Sequence, residues 1–509
     1  MREDDNALLN KSLGLLAKSS LIVFVGLTLS KIFTYLYKIV VARSFNPEVY
    51  GLFNFALIII GLIATIASFG MPEGILRFVS LDRKNKSLEN SKYLVSIGTK
   101  VVFFTSIILG ILLYLLADII SINIFSKPDL AIYLKIFSLA LPFITLGTTY
   151  LTIIRAFERI TLYTSIQNIF QNLVKLLALI LFIFLGFRLS AILGSYMLSV
   201  AFVLVAGYLG AKKYLKKINM SEELDKDKKK KLKHDFFAYS WPIIFLGIAS
   251  SLLYWIDSFV IGYYMSAEDL GFYNVAFTLV GILGIAPEIF MQLFFPMVLK
   301  EYAKDRIKVI RELSKQVSKW IMIINIPVFI IMILYPGAII NILFGQEYLP
   351  AENSLRILSF GGMVASIFLS LTSNLLSMKG KSKNLLFITL FIGLFNLITN
   401  IIFVPIYGLA GASFATAFSI ILLCFILLFQ TKIYLDIIPL RRKMLSILIV
   451  SLIPTIFIIL IKDFFPQDIM TIAIIGILYL LIYTILIIII KGLDKNDLLI
   501  IDMLKNKFN

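Results

Sequence analysis

Long segments without charged residues dominate this 509-residue sequence and limit the folds that it can adopt. The stretches Leu57–Phe69 and Ile472–Ile490 contain no acidic or basic residue. Hydrophobic residues make up 60% of the chain and the mean hydropathy is +0.94, well above soluble domains. A membrane-spanning β-barrel would show shorter segments with alternating polarity. The pattern therefore predicts an all-α membrane protein.

Apolar windows predict about fourteen transmembrane helices, each close to the 20 or so residues that cross a bilayer. The predicted spans are 18–41, 49–70, 93–116, 130–154, 163–185, 189–211, 236–263, 270–295, 318–335, 352–377, 385–404, 407–430, 444–461 and 468–490.

The net charge of +18 reflects topology rather than nucleic-acid binding, because the basic residues lie in short connections between apolar segments. With both termini on one side, 38 of the 48 Lys and Arg residues fall on that side and 5 on the other. The positive-inside rule then predicts a multi-pass protein of the cell membrane with both termini in the cytoplasm. The basic segment Pro296–Lys319 is expected to lie along that membrane surface.

The sequence offers little for covalent chemistry. It has one cysteine, Cys424, and one histidine, His234, so paired-cysteine metal sites and histidine-rich sites are excluded within one chain. No phosphate-binding glycine-rich loop stands out. We therefore expect neither an enzyme nor a cofactor, although a coupling ion, Na⁺ or H⁺, is open.

A weak internal repeat at an offset of 220 residues suggests two related halves. The motif Glu48, Gly51 and Asn54 recurs as Glu268, Gly271 and Asn274. An even number of spans per repeat predicts parallel halves that face each other across a central cavity. The predicted domains are a six-helix bundle at 1–211, a basic cytoplasmic linker at 212–235 with the run Lys228–Lys231 in a loop, a second six-helix bundle at 236–430, and two extra helices with a tail at 431–509.

Four stretches resemble the multidrug/oligosaccharidyl-lipid/polysaccharide exporter superfamily, the last three its polysaccharide-transporter branch: Arg43–Phe53, Asp257–Gly262, Ile342–Tyr348 and Tyr407–Ala412. The resemblance implies an alternating-access flippase for isoprenoid-diphosphate-linked oligosaccharides. It implies a lipid-linked sugar as substrate, contact with membrane lipids, and glycosyltransferases or a polymerase of the same pathway as partners. The alternatives are a cation-coupled multidrug exporter and a peptidoglycan lipid-precursor flippase of the same superfamily.

A diphosphate head group requires cations and polar groups along a wet cavity. Lys31, Tyr35 and Lys38 share one face of the first span. Further candidate substrate-binding residues are Lys100, Asn168, Gln171, Asn172 and Lys175. Coupling or gating is expected of the carboxylates Asp257 and Glu288.

Structural explanations remain open for several of these residues. Lys38 and Lys100 could extend to a membrane interface, and the polar stripe from Asn168 to Lys175 could join helices instead of contacting sugar. Asp257 could be a structural partner of a lysine, and Glu288 could bond a backbone group freed by Pro287.

Overall fold

The computed structural model describes residues 26, 28–84, 88–216, 225–461, 469–490 and 492, and within these ranges the chain is helical with no strand. The chain divides into two compact units, residues 1–271 and 272–509. The domain boundaries expected from the sequence remain a prediction.

Short turns separate most of the helices of the first unit. These are α1 (28–44), α2 (Pro47–Ala67), α3 (Met71–Lys84), α4 (Leu88–Asp118), α5 (Leu130–Ala156), α6 (Ile160–Thr164), α7 (Gln171–Phe184), α8 (Leu189–Leu215), α9 (Lys226–Tyr264) and α10 (Ala267–Val280), which continues into the second unit. Two π-helical segments interrupt the α-helical geometry, Ile119–Ile124 after α4 and Ser165–Phe170 between α6 and α7.

Seven further helices follow in the second unit. They are α11 (Ile285–Tyr302), α12 (Ile307–Leu334), α13 (Pro336–Leu343), α14 (Glu352–Met378), α15 (Ser382–Leu435), α16 (Arg442–Ile461) and α17 (Ile469–Ile489). The 54 residues of α15 are broken at Gly408, whose backbone has φ 57° and ψ −136°, a conformation that glycine adopts readily.

Eleven helical segments in the described ranges are long and apolar enough to cross a bilayer, so the chain is a multi-pass membrane protein. The Ser382–Leu435 segment counts once among them although it bends at Gly408. Only residues 26 and 28–41 of the first predicted span are described. The total of about fourteen spans and the two parallel repeats remain predictions.

The expectation of a loop around Lys228–Lys231 is wrong, because α9 already begins at Lys226. Its 39 residues extend far beyond the length needed to cross a bilayer. The buried ring of Phe236 packs against Phe78 at a centroid distance of 5.8 Å, within an apolar cluster supplied by α3, α4, α5, α8 and α9. This packing explains why the helix continues into the basic segment.

The starts of α2 and α10 meet backbone to backbone. A Cβ on Gly51 would overlap the carbonyl oxygen of Ala267, and a Cβ on Gly271 would overlap that of Pro47. These glycines occupy equivalent positions in the sequence repeat. Only glycine fits at these two positions, because the two backbones leave no room for a side chain.

Lys127 lies beside this contact and caps the end of α9. Its Nζ donates to the carbonyl oxygens of Phe125 (3.1 Å), Gly262 (2.5 Å) and Met265 (2.7 Å). A cation at a helix C-terminus also interacts favourably with the helix dipole. Burial lowers the pKa of the Lys127 ammonium, and the charge of Asp269 opposes that effect. Lys127 thus joins the segment after α4 to the end of α9.

In the second unit, several hydrogen bonds and ion pairs lie at or near α12. Arg311 donates to Asp436 at 2.6 Å, and Lys432 and Arg441 bond Asp436 and Gln316 respectively. Lys319 is fully buried and donates to the carbonyl oxygen of Gly492 at 3.2 Å. The expectation that the basic segment through Lys319 lies along the membrane surface is wrong for Lys319, because its side chain satisfies a backbone carbonyl inside the protein.

The close approach of α2 and α10 predicts a large effect of one added methyl group. We expect Gly51→Ala and Gly271→Ala each to lower the free energy of unfolding by about 1–3 kcal/mol, because neither backbone can move without losing packing. Gly61→Ala is the matched control on α2, since no atom lies within 4 Å of the added methyl. Thermal unfolding in detergent measures the effect. Equal unfolding midpoints for Gly51→Ala and Gly61→Ala would contradict the tight contact.

Candidate functional site

Three lysines from α1 and α7 lie near one another inside the first unit. Lys31 and Lys38 lie on one face of α1, as their spacing predicts, and Lys175 lies on α7. The charge of Lys31 acts on Lys38, and the charge of Lys38 acts on Lys175. All three side chains are partly exposed. Helices that are far apart in sequence thus form one region of positive charge.

An aromatic cluster adjoins this lysine group. The Nζ of Lys175 lies 4.5 Å from the ring centroid of Tyr37, which is buried. The Tyr37 hydroxyl lies 3.4 Å from the Ser195 hydroxyl oxygen on α8. Behind Tyr37, the rings of Phe53, Phe137 and Tyr196 contact one another at centroid distances of 5.1 to 6.4 Å. The cation–π contact stabilises the position of the Lys175 ammonium.

The polar stripe on the fifth predicted span is present, with different backbone geometry. Asn168 lies in the π-helical turn, and Gln171, Asn172 and Lys175 follow in the first turns of α7. The amide of Asn172 donates to the Ser30 hydroxyl on α1 at 3.1 Å and to the carbonyl oxygen of Asn168 at 2.9 Å. Asn172 therefore joins α7 to α1, which fits the helix-joining reading for this one residue. π-Helical turns are frequent at functional sites.

The remaining predicted residues are spread more widely. Tyr35 is partly exposed on α1, and Lys100 is exposed on α4 without a contact to the lysine group among the described residues. Asp257 is buried on α9, whereas Glu288 is partly exposed in the first turn of α11 and belongs to the second unit. The structure therefore brings together Lys31, Lys38 and Lys175 and leaves Lys100 outside that group.

The arrangement suits an anion with several oxygen atoms. Three ammonium groups can share a diphosphate, and nearby amide and hydroxyl groups can bond sugar hydroxyls. Within the described part of the chain, no group of three or more His, Cys, Asp or Glu side chains could hold a metal ion. The positive charge of the lysine group itself favours an anionic ligand.

Comparison with known proteins identifies the family of this chain. The family model described as polysaccharide biosynthesis protein matches residues 16–301, more than half of the chain. The chain belongs to this family. The sequence resemblance to the polysaccharide branch of the exporter superfamily is thereby confirmed.

Two curated relatives and one solved structure illustrate the family. A putative O-antigen transporter of Shigella flexneri is 25% identical, over 75% of this chain and 89% of its own length. A probable low-salt glycan biosynthesis flippase of Haloferax volcanii is 24% identical, over 79% of this chain and 81% of its own. The lipid II flippase MurJ in an inward closed conformation has the same fold, with a TM-score of 0.70 and 19% identity over 92% of this chain and 99% of that one. These proteins are transporters or flippases, not enzymes.

The sequence pattern does not predict the aromatic part of the site. Tyr37 lies about 120° around α1 from Lys31, so the helical pattern places it away from the lysine face. Ser195 and Tyr196 lie on a helix in which the spacing shows no polar stripe. Their roles depend on α1, α7 and α8 packing together, and local sequence does not encode that contact.

The contact between Lys175 and Tyr37 predicts a measurable coupling energy. In a double-mutant cycle with Lys175→Met and Tyr37→Leu, we expect a coupling energy of about 1–2 kcal/mol, because the Tyr37 ring is buried. Tyr37→Phe should keep the coupling, since it removes only the hydroxyl. The exposed pair Lys212 and Tyr208, 5.4 Å apart, is the control and should give about 0.5 kcal/mol. A coupling no larger than that of the control would contradict the contact.

Proposed function

We propose that this protein moves isoprenoid-diphosphate-linked oligosaccharides across the cytoplasmic membrane for the synthesis of a cell-surface polysaccharide or glycan. The lysine group binds the diphosphate, and the amides on α7 contact the sugar. Both termini lie in the cytoplasm, as the distribution of basic residues favours. Glycosyltransferases of the same pathway supply the substrate.

The observation that carries this proposal is the grouping of Lys31, Lys38 and Lys175. One ammonium group at the centre of a bilayer costs about 2.5–3.5 kcal/mol on insertion scales, and like charges add repulsion. Such a group is retained where an anionic ligand or a wet cavity offsets the cost. A diphosphate that binds and is released offsets this cost while it is bound, and the lysines are then available for the next substrate.

Asp257 and Glu288 are proposed to couple transport to Na⁺ or H⁺. A buried carboxylate such as Asp257 changes its charge when it binds a proton or a cation, and that change can be linked to a change of conformation. The lysine group argues against a cationic drug as the substrate, because it would repel one.

Alternating access requires that the contact between the starts of α2 and α10 opens during the cycle. Lys127 bonds three carbonyl groups there, so it is placed to hold this end of the first unit closed. Leu52 is buried beside a cavity of about 350 Å³ that Lys127 also lines.

Substitution of the lysines tests the substrate proposal. We expect Lys31→Ala, Lys38→Ala and Lys175→Ala each to reduce flipping of a lipid-linked oligosaccharide in proteoliposomes about tenfold or more, because each removes a charged hydrogen-bond donor. Lys31→Arg should retain part of the activity, since the charge remains while the geometry changes.

Lys135→Ala is the matched control. This lysine is also within a predicted span, but it pairs with Asp118 at 2.7 Å, outside the lysine group. It should flip normally. Thermal unfolding in detergent separates loss of function from loss of fold. Normal flipping by a stable Lys31→Ala protein would remove Lys31 from the mechanism.

The closing role of Lys127 predicts altered accessibility. In a Cys424→Ala background, Leu52→Cys should react several times faster with a membrane-impermeant maleimide when Lys127→Met is added, because three carbonyl bonds are lost. Ile60→Cys, which is equally buried on α2, should not change. Equal acceleration at both positions would indicate general loosening and contradict the closing role.

A further inference from the structure

A cavity outside the lysine group lies along the first turns of α9. It has a volume of about 630 Å³, and its walls include Lys230, Lys233 and His234 together with the rings of Phe69, Phe237 and Trp241. The α9 residues recur at spacings of three and four, so they form one face of the helix. The cavity therefore has a cationic end towards the start of α9 and an aromatic end farther along it.

This face is fixed in place by the opposite side of α9. Phe236 is fully buried against α3, and a Cβ on Gly74 would overlap the hydroxyl oxygen of the buried Ser240. At the aromatic end, the ring of Phe69 contacts that of Phe237 at a centroid distance of 6.5 Å. The cavity is therefore built on packed elements rather than on a loose surface helix.

The charges on this face are available to an external anion. Within the described residues, neither Lys230 nor Lys233 has a carboxylate partner. His234 lies 3.4 Å from Asp235 through its Nδ1 atom. The two lysines are exposed, as is about half of the Trp241 side chain.

The length of α9 indicates where the cavity lies relative to the bilayer. Its 39 residues span about 58 Å, almost twice the hydrocarbon thickness of roughly 30 Å. If the apolar part ending at Tyr264 crosses the bilayer, Trp241 lies near the interface, where tryptophan is enriched. Lys230, Lys233 and His234 then lie at or just beyond the lipid head groups.

We propose that this cavity binds the head group of an anionic phospholipid from the surrounding bilayer. The phosphate lies between Lys230 and Lys233, and the first acyl carbons pack on Phe237 and Trp241. A free phosphate ion would not use the aromatic end, whereas an amphiphile uses both ends. This inference does not depend on the proposed flipping activity.

Fluorescence quenching by brominated lipids tests the proposal directly. Trp255→Phe and Trp320→Phe leave Trp241 as the sole tryptophan of the full-length chain. In mixed micelles, brominated phosphatidylglycerol should quench Trp241 at about tenfold lower mole fraction than brominated phosphatidylcholine. Lys230→Gln with Lys233→Gln should abolish that difference.

The matched control removes two charges from another side of the same turns. Lys228 and Lys231 lie about 160° and 100° around the helix from Lys230, so Lys228→Gln with Lys231→Gln should keep the preference for phosphatidylglycerol. Circular dichroism confirms that both variants are folded. If the variant with Lys230→Gln and Lys233→Gln unfolds, the single substitution Lys233→Gln replaces it and should reduce the preference.

Three results would overturn the proposal. Equal quenching by the two lipids would show no selectivity for the head group. Displacement of brominated phosphatidylglycerol by millimolar inorganic phosphate would identify a site for free phosphate. Displacement by an isoprenyl diphosphate, with loss of flipping in the Lys230 and Lys233 double variant, would identify a binding site for the transported substrate instead.

Discussion

An ammonium group among apolar helices is the constraint on which the rest of the first unit depends. Lys31, Lys38 and Lys175 cannot be removed from water without compensation, and the protein arranges α1, α7 and α8 accordingly. The Tyr37 ring lies against Lys175, and Asn172 ties α7 to Ser30 on α1. These contacts position the Lys175 ammonium and join α7 to α1.

Two other lysines of the chain use their ammonium groups within the protein. Lys127 and Lys319 are buried, and each donates to backbone carbonyl oxygens, Lys127 to three of them and Lys319 to that of Gly492. A carbonyl group at the end of a helix needs such a partner where water is scarce. These lysines are structural, because their donors are used within the protein. Lys127 and Lys319 thus differ from the partly exposed Lys31, Lys38 and Lys175.

The sequence predicted the helical class and most helix positions, because long apolar segments leave no other way to satisfy the backbone in a bilayer. It also predicted that Lys31 and Lys38 share a face, since helical spacing alone decides that. It did not predict Tyr37 beside Lys175 or the carbonyl bonds of Lys127, which require contacts between helices distant in sequence. The helical start of α9 was missed because its charges resemble a loop, while Phe236, which fixes it, is one apolar residue among many.

We propose that the lysine group holds the diphosphate of a lipid-linked sugar. A cryo-electron microscopy structure of the protein with an isoprenoid-diphosphate-linked sugar tests it most directly. We expect density for both phosphates within hydrogen-bond distance of at least two of the three ammonium groups, those of Lys31, Lys38 and Lys175. Density for the diphosphate elsewhere, with these lysines left to water or to protein carboxylates, would contradict it.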